Sequence, residues 1–252
     1  VCARSHRAVS AIYKDKRFGR EIPPELRRPI PSHLEDFYQI EKHSMLEKEP
    51  PNHTRLRSLV LRAFTTRKIS QFNEELDQLC HKLIDEFSEH EVDLLPAYAQ
   101  KIPIIIIARL LGIPEEMSDQ LLSWSNAMVA MYQARRTTEI EKEANQSAAD
   151  FRVYLKAYID KRRKNPRDDL LSNLIQAEEL GEKLTTAELI STVVLLLNAG
   201  HEATVHTLGN GIKTLIETRN PRKWTQPDLI NKTVEEILRF DPPLHMFNRY
   251  AY

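Results

Sequence analysis

The spacing of hydrophobic residues along the chain is that of α-helices. From Thr54 to about His90, apolar side chains recur with a period of about 3.6 residues, which predicts a long helical region. The same spacing predicts helices over residues 5–14, 94–113, 137–163 and 168–179, and another that begins at Pro114. Residues 20–51 are rich in proline and mixed charge, so a connection is expected there. The pattern therefore predicts a mainly α-helical protein.

The longest predicted helix covers residues 185–218. Its start is marked by Thr185-Thr186-Ala187-Glu188, the capping-box pattern that satisfies free backbone N–H groups at a helix N-terminus. Because its middle, from Ile190 to Leu197, is mostly apolar, the helix is expected to run through the core. Asn220-Pro221 ends it, and a last helix is expected over residues 228–240.

Composition supports a single domain over residues 1–252, since 41% hydrophobic residues can form a sizeable core and 6 glycines allow few tight hairpins. Lys+Arg and Asp+Glu both number 36, and this balance argues against a nucleic-acid partner. Cys2 and Cys80 are too few for a disulfide framework or a Cys-based zinc site, so a cytoplasmic location is expected. No apolar run approaches the roughly 20 residues of a membrane span.

The segment Ala199–Thr204 lies in the middle of the long predicted helix and contains two residues that are unusual there. Gly200 costs about 1 kcal/mol relative to alanine, and Glu202 belongs to a residue type that is rarely buried without a partner. A functional site and a plain helix–helix crossing with a water-bound Glu202 are about equally favoured. A zinc site of the HExxH type is not favoured, because His201 and His206 lie about 140° apart around a helix.

Two further pairs of polar residues share one helix face. Glu236 and Arg239 are three residues apart, and His53 and Arg57 are four residues apart, so the members of each pair can act together. His53 and Arg57 could jointly hold an anionic group. Taken alone, both pairs are better explained as solvated surface charge, which is the more common role of such pairs.

Four motifs occur in the order found in bacterial cytochrome P450 monooxygenases, which the sequence strongly resembles. Residues 49–65 are similar to the C-helix region of that family, and residues 93–116 to its E helix and the turn that follows. Asp168–Leu171 followed by Ala199–Glu202 resembles the region from the H helix to the I helix. Val234–Pro243 resembles the K helix with its ExxR pair. The resemblance covers nearly the whole chain.

The resemblance implies a fold and a chemistry. The fold would be mainly α and P450-like, incomplete at both ends, with residues 20–51 as the variable B–C connection, 185–218 as the long central I helix and 228–240 as the K helix. The complete protein would be a heme-dependent monooxygenase that inserts one oxygen atom of dioxygen into a small organic substrate. Its cofactor would be heme b, with electrons from NAD(P)H delivered by a ferredoxin- or flavodoxin-type partner.

The resemblance also implies roles for particular residues. The heme propionates would be bound by His53, Arg57 and Arg249. The distal oxygen pocket would be lined by Ala199, Gly200 and the proton-delivering Glu202. The substrate side would be formed by Leu244, His245, Met246 and Phe247. Glu236 and Arg239 would form a structural pair in the core, next to the segment that holds the heme.

The sequence departs from the family pattern in three places. The family's proximal ligand is a cysteine downstream of the K helix, and neither Cys2 nor Cys80 matches it, so no metal ligand is expected and this chain alone should be inactive. Ala203 stands at the usual threonine position, and Thr204, about 100° further round the helix, is a weak substitute. The connection 224–234 is shorter than the family norm. The alternative is a truncated, non-catalytic helical protein that uses the same scaffold for binding or regulation.

Overall fold

The structure is a computed structural model that describes residues 2–64, 66–88, 91–133, 136–179 and 181–252, with residues 66–71, 178 and 179 described by their backbone alone. The helices are α1 (His6–Lys14), α2 (Glu35–Glu41), α3 (Asn52–Ala63), α4 (Thr66–Asp85), α5 (Lys101–Leu111), α6 (Ser118–Val129), α7 (Thr138–Lys164), α8 (Leu170–Gln176), α9 (Thr186–Glu217), α10 (Pro221–Trp224) and α11 (Ile230–Phe240). Short 3-10 turns and a π-helical turn, Leu95–Ala99, connect several of them. Within the described residues, no helix is long and apolar enough to cross a bilayer.

Two short antiparallel ribbons complete the fold. Strand β1 (Phe18–Gly19) pairs with β4 (Tyr250–Ala251), and β2 (Glu178–Glu179) pairs with β3 (Glu182–Lys183). The β1–β4 pairing joins segments that are more than 200 residues apart in sequence, since Phe18 lies opposite Ala251. It therefore brings the C-terminal segment of the chain next to the region between α1 and α3.

The mainly α-helical fold predicted from hydrophobic spacing is confirmed, with two differences in detail. The long region that was expected to begin near Thr54 is two helices, because Phe64 leaves helical geometry at φ −96° and ψ 84°; residues 89 and 90, at its expected end, lie outside the described residues. The helix expected over residues 168–179 ends at Gln176. The chain then reverses at Gly181, whose φ of 81° favours glycine, so residues 178 and 179 form a strand.

Helix α9 lies at the centre of the core. Its predicted capping box forms, because the Glu188 N–H donates to Thr185 Oγ1 at 3.2 Å and the Thr185 N–H donates to Glu188 Oε2 at 2.9 Å. Its first half buries a continuous apolar surface, including Leu189, Val193 and Leu197 at 1% exposure or less. Helices α2, α5, α6, α7, α8 and α11 all pack against it. Burying each such side chain stabilises the fold by about 1.5–3 kcal/mol.

A buried ionic cluster fastens the junction of α5, α7 and α8. Gly112 ends α5 in the left-handed conformation at φ 69°, and its carbonyl oxygen accepts hydrogen bonds from Tyr158 and Arg162. Arg162 Nη2 lies 3.2 Å from Asp169 Oδ2, with the two side chains only 3% and 7% exposed. Asp169 also caps α8 by accepting the Ser172 N–H at 2.7 Å. Sequence analysis singled out neither Arg162 nor this pairing.

Candidate functional site

The middle of α9 presents small side chains on an open face. Ala199 and Thr204 are exposed, and Gly200 and Ala203 are half-buried. The Thr204 hydroxyl donates to the Gly200 carbonyl oxygen at 2.9 Å, so it is already bonded to its own helix. A role for Thr204 in moving protons stays a prediction and would require that bond to break. The face itself allows a flat group to approach the helix backbone closely.

Gly200 is not required by the packing of α9 against α5. A Cβ added to Gly200 would lie 3.5 Å from Ile107 Cδ1, which is an ordinary contact. By contrast, a Cβ added to Gly209 would lie 2.8 Å from Leu95 Cδ2, closer than packed carbon atoms come. Close packing therefore accounts for the glycine at position 209. It does not account for the glycine at position 200, where any need for glycine arises from the open face.

Glu202 lies at the edge of this face and is the carboxylate nearest to it on α9. Its side chain is 37% exposed, and its Oε1 is 4.0 Å from Nε2 of His206, one turn further along the helix. Burial raises the pKa of Glu202 above its ordinary value, and the neighbouring His206 partly offsets that rise. A carboxyl whose pKa is raised holds a proton more readily than a solvated one, which suits a proton donor.

His201 points away from the open face and into the core. It is 3% exposed, and neither ring nitrogen has a hydrogen-bond partner in the described part of the chain. Burial lowers the pKa of His201 to about 4, so the ring is neutral near pH 7. The described residues contain no group of three His, Cys, Asp or Glu side chains that could hold a metal ion.

His53 and Arg57 lie one turn apart on α3. His53 is half-buried and Arg57 is exposed, and neither side chain forms an ion pair within the described ranges. Arg55, between them in sequence, behaves differently, because it pairs with Glu188 at the start of α9 and so fastens α3 to the central helix. Arg57 and His53 are therefore free to bind an anionic group such as a carboxylate.

Arg249 lies just before β4, far from α3 in sequence. Its guanidinium carbon is 4.7 Å from the centre of the Tyr13 ring, and its Nη1 donates to the Asn248 carbonyl oxygen at 2.8 Å. The β1–β4 ribbon lies near the start of α3. A Cβ added to Gly19 in β1 would collide with the side chains of both Tyr252 and Glu49, and Glu49 lies just before α3. That Arg249 binds the same ligand as His53 and Arg57 stays a prediction. The ribbon supports it, because it brings the segment that contains Arg249 toward the start of α3.

Glu236 and Arg239 are paired on α11 and lie at its surface in the 252-residue chain, so their place in the core of the complete protein stays a prediction. Arg239 Nε and Nη2 donate to the two carboxylate oxygens of Glu236 at 2.7 and 2.6 Å. The Arg239 and Glu236 side chains are nevertheless 68% and 60% exposed. The reason is that α11 buries none of its residues and touches α9 along one side, through Ile237 against Gly211. Helical spacing brings the pair together, whereas burial depends on what covers the helix.

The residues expected on the substrate side do not line an enclosed pocket in the described structure. Leu244, Met246 and Phe247 are 53%, 76% and 53% exposed, and His245 is exposed as well. Three large apolar side chains on one short segment form a surface that proteins usually cover with a ligand or another segment. Their assignment to a substrate pocket stays a prediction.

Sequence analysis missed two polar residues that the structure places beside Glu202. His206 was weighed only as a zinc ligand, and Asn198 was not considered, although it precedes Glu202 by one helical turn. The Ser125 hydroxyl on α6 donates to Asn198 Oδ1 at 2.9 Å. The four-residue spacing of Asn198, Glu202 and His206 could have shown that they share a helix face, whereas nothing in the sequence predicts contact with Ser125.

The described side chains fit part of what the expected heme would need. The free cations His53 and Arg57 match its carboxylates, and the small residues of α9 leave room for a flat ring. The axial position has no candidate among the described cysteines. Cys2 is exposed near the start of the chain, and Cys80 lies on α4, where it and Tyr98 pack against a small apolar cluster that includes Leu83.

Comparison with known proteins identifies the family. Residues 24–222 match the family model Cytochrome P450. The polyketide biosynthesis cytochrome P450 PksS of Bacillus subtilis (strain 168) is 38% identical over 248 residues, which cover 96% of this chain and 60% of that protein. The biotin biosynthesis cytochrome P450 of the same organism is 32% identical over 251 residues, covering 96% of this chain and 61% of that protein.

Solved structures agree with these sequence matches. The chain superposes on P450BioI, solved in complex with a hexadec-9Z-enoic acid ligated acyl carrier protein, with a TM-score of 0.89, 31% identity, and coverage of 98% of this chain and 63% of that one. Its TM-score with PksS is 0.82, at 36% identity, covering 96% of this chain and 60% of that one. The chain therefore spans about 60% of the length of these relatives. The family suggested by the four ordered motifs is confirmed, and the chain belongs to the cytochrome P450 family.

Proposed function

We propose that the complete protein is a heme-dependent monooxygenase that inserts one oxygen atom of dioxygen into a small organic substrate. The observation that best supports this is the middle of α9, where the open face at Ala199 and Gly200 borders the half-buried acid Glu202. Heme b, when bound, supplies the activation of dioxygen. Electrons come from NAD(P)H through a ferredoxin- or flavodoxin-type partner.

His53 and Arg57 bind and orient the heme carboxylates. Charge-assisted hydrogen bonds from imidazolium or guanidinium groups to a carboxylate are shorter and stronger than neutral ones. Arg249 is the third member of this set, and to act in it the guanidinium turns from the Tyr13 ring, on which it now lies, toward α3. Support for this comes from the β1–β4 ribbon, which keeps Arg249 in the part of the fold that contains Glu49.

Glu202 holds the proton that the reaction consumes. Its raised pKa keeps the carboxyl protonated to a higher pH than a solvated glutamate, so the donor is loaded when it is needed. Ala203 has no hydroxyl with which to pass the proton on, and the hydroxyl of Thr204 is bonded to Gly200. A water molecule or a hydroxyl of the substrate itself therefore completes the path beyond Glu202.

The substrate class to test first is an acyl or polyketide chain. PksS is named for polyketide biosynthesis, and P450BioI was solved with a fatty acid attached to an acyl carrier protein. The exposed apolar residues Leu244, Met246 and Phe247 suit a hydrocarbon chain better than a small polar molecule.

The test begins with the reduced carbon monoxide difference spectrum of the complete protein, which reports a heme with a thiolate ligand. We expect that spectrum, together with substrate-dependent consumption of NAD(P)H and dioxygen. Replacing Arg57 by alanine should weaken heme binding about ten- to a hundredfold, because one charge-assisted bond to a carboxylate is lost. Arg219→Ala, which removes an exposed arginine beyond the end of α9, is the matched control and should leave heme affinity unchanged.

A complete protein that takes up no heme would contradict the proposal and favour the non-catalytic alternative. Heme uptake with unaltered affinity in Arg57→Ala would leave the enzyme class standing but would remove Arg57 from the binding site. Turnover of an acyl chain without turnover of a comparable polar compound would support the proposed substrate class.

A further inference from the structure

Three polar side chains form one row along α9. Asn198, Glu202 and His206 are spaced four residues apart, and each step of four turns only about 40° around the helix, so the three lie one above another. The middle member is Glu202, whose Oε1 lies 4.0 Å from Nε2 of His206. The row borders the open face formed by Ala199 and Gly200 and runs from the core toward the surface.

The inner end of the row is held in place by another helix. Ser125 of α6 is fully buried, and its hydroxyl donates to Asn198 Oδ1 at 2.9 Å. This bond fixes the orientation of the amide and leaves the Asn198 NH2 group without a partner in the described part of the chain. The inner end of the row is therefore a half-buried amide whose orientation is fixed by α6.

The outer end opens to solvent. His206 is 55% exposed and lines a cavity of about 450 Å³ between the segment that includes Leu95 and the second half of α9. Other charged groups on this cavity are Asp93, from the segment before α5, and Lys213 and Glu217, further along α9. Two carboxylates and one ammonium therefore lie on the walls of the cavity that His206 lines.

On its other sides the row faces groups that are neutral or already paired. His201, on the same helix, is neutral near pH 7 because burial lowers its pKa to about 4. On α11, Glu236 and Arg239 are paired with each other. From α6, the neighbouring polar group is Ser125, which does not titrate near neutral pH.

We propose that His206 is a positioning residue for Glu202 and the solvent-side entry through which a proton from water reaches that carboxyl. This rests on the function proposed above, since it extends the role of Glu202. One ring nitrogen of His206 accepts a proton from hydronium or a buffer acid, and the other gives a proton to the Glu202 carboxylate. The imidazole returns to its neutral form, so one proton is moved and no charge stays on the ring.

The chain contains a matched control for this geometry. His81 on α4 follows Asp77 by four residues, and its Nε2 lies 3.9 Å from Asp77 Oδ1. Spacing and distance are thus nearly the same as for His206 and Glu202, but the side chains of His81 and Asp77 are 75% and 78% exposed and lie on a different helix. His81→Gln removes an equivalent pair without touching the row on α9.

The first measurement uses the complete, heme-loaded protein and follows turnover against pH for His206→Gln and His81→Gln. His206→Gln should slow turnover about tenfold, which is less than the rate enhancement that a general acid or base usually supplies. It should also flatten the alkaline side of the plot of turnover against pH. Heme content and the carbon monoxide spectrum should not change. His81→Gln should match the unaltered protein at every pH.

The second measurement does not depend on activity. The Glu202 carboxyl is titrated by infrared difference spectroscopy in the heme-loaded protein and in its His206→Gln variant. Removing the imidazole should raise the pKa of Glu202 further, because His206 lowers it in the unaltered protein. The pKa of Glu202 should be the same in His81→Gln as in the unaltered protein.

An unchanged pKa of Glu202 in His206→Gln would overturn the proposal, as would a His206→Gln enzyme with normal turnover and an unaltered pH profile. Loss of heme in His206→Gln would show a structural role and would overturn it too. In each case a normal carbon monoxide spectrum of the unaltered protein would keep the proposed function intact, so the two failures are distinguishable.

Discussion

Two arginine–carboxylate pairs in this chain have the same chemistry and opposite surroundings. Arg162 and Asp169 lie 3.2 Å apart with 3% and 7% of their side chains exposed, and they join two helices. Arg239 and Glu236 lie closer, at 2.6 Å, but both are more than half exposed on one helix. Since water screens the second pair and not the first, the shorter distance belongs to the weaker interaction.

The comparison also concerns what each pair holds together. Arg162 binds the Gly112 carbonyl oxygen as well as Asp169, so three helix ends depend on one guanidinium. Within the described residues, Arg239 has no partner beyond its own helix, and its effect on the pKa of Glu236, which it lowers by hydrogen bonding, is local. The following predictions test how strongly burial changes the contribution of such groups to the stability of the fold.

The largest effect is expected for Arg162→Met. Removing the cation leaves the Asp169 carboxylate buried without its partner, which should lower the free energy of unfolding by about 3–5 kcal/mol. Urea denaturation followed by circular dichroism measures this. Arg163→Met is the control, because the neighbouring Arg163 pairs with Asp160 on the surface and should change stability little. Equal effects of the two variants would contradict the comparison.

A smaller effect is expected for Gly112→Ala. Gly112 has a φ of 69°, and an added Cβ would collide with the carboxylate of Asp169. We expect a loss of about 2–3 kcal/mol, combining left-handed strain with displacement of the ion pair. Gly181→Ala is the control, since its φ is 81° and nothing lies within 4 Å of the added Cβ. It should cost only about 1 kcal/mol, with both variants measured by the same urea denaturation.

His201 extends the comparison to a buried group whose ring nitrogens have no partner among the described residues. Its folded pKa of about 4 lies below the ordinary value of 6.5, so the unfolded chain binds the extra proton first. Stability should therefore be complete above about pH 6.5 and fall as the pH drops toward 4, by on the order of 2 kcal/mol. His201→Leu should remove this slope from denaturation curves measured at several pH values. A slope that persists in the variant would assign the acid sensitivity to another group.

The smallest effect is expected for Arg239→Ala in the 252-residue chain, where the pair is exposed. We expect no resolvable change in melting temperature at moderate salt, because solvent and ions screen the pair. The same substitution in the complete protein sharpens the comparison. We propose that the rest of the protein covers α11 and that Arg239→Ala there lowers heme content. Normal heme content would show that the pair is ordinary surface charge in both forms.

Much of the fold followed from local sequence. The central helix begins where Thr185 and Glu188 predicted it, because a capping box needs only residues three apart. The ends of α3 and α8 were missed by several residues, since hydrophobic spacing does not register where Phe64 or Gly181 turns the backbone. The family was also readable, because four short motifs in a fixed order carry that information.

In the candidate site, too, the sequence predicted groupings within one helix but not contacts between distant segments. Residues on one helix, such as His53 with Arg57 or Glu202 with His206, could be grouped from spacing, because helix geometry alone places them on one face. The contact of Ser125 with Asn198 and of Arg249 with Tyr13 could not, since each joins segments far apart in sequence.

What the sequence alone determined was therefore the set of helices, their capping, the helical faces and the family motifs, all of which depend on residues a few positions apart. Burial was decided by the tertiary structure. It placed Arg162 in the core and left Arg239 exposed, although both are arginines on amphipathic helices. The physical reason is that exposure depends on which distant segments cover a helix face, and the strength of every charge at that face depends on the exposure.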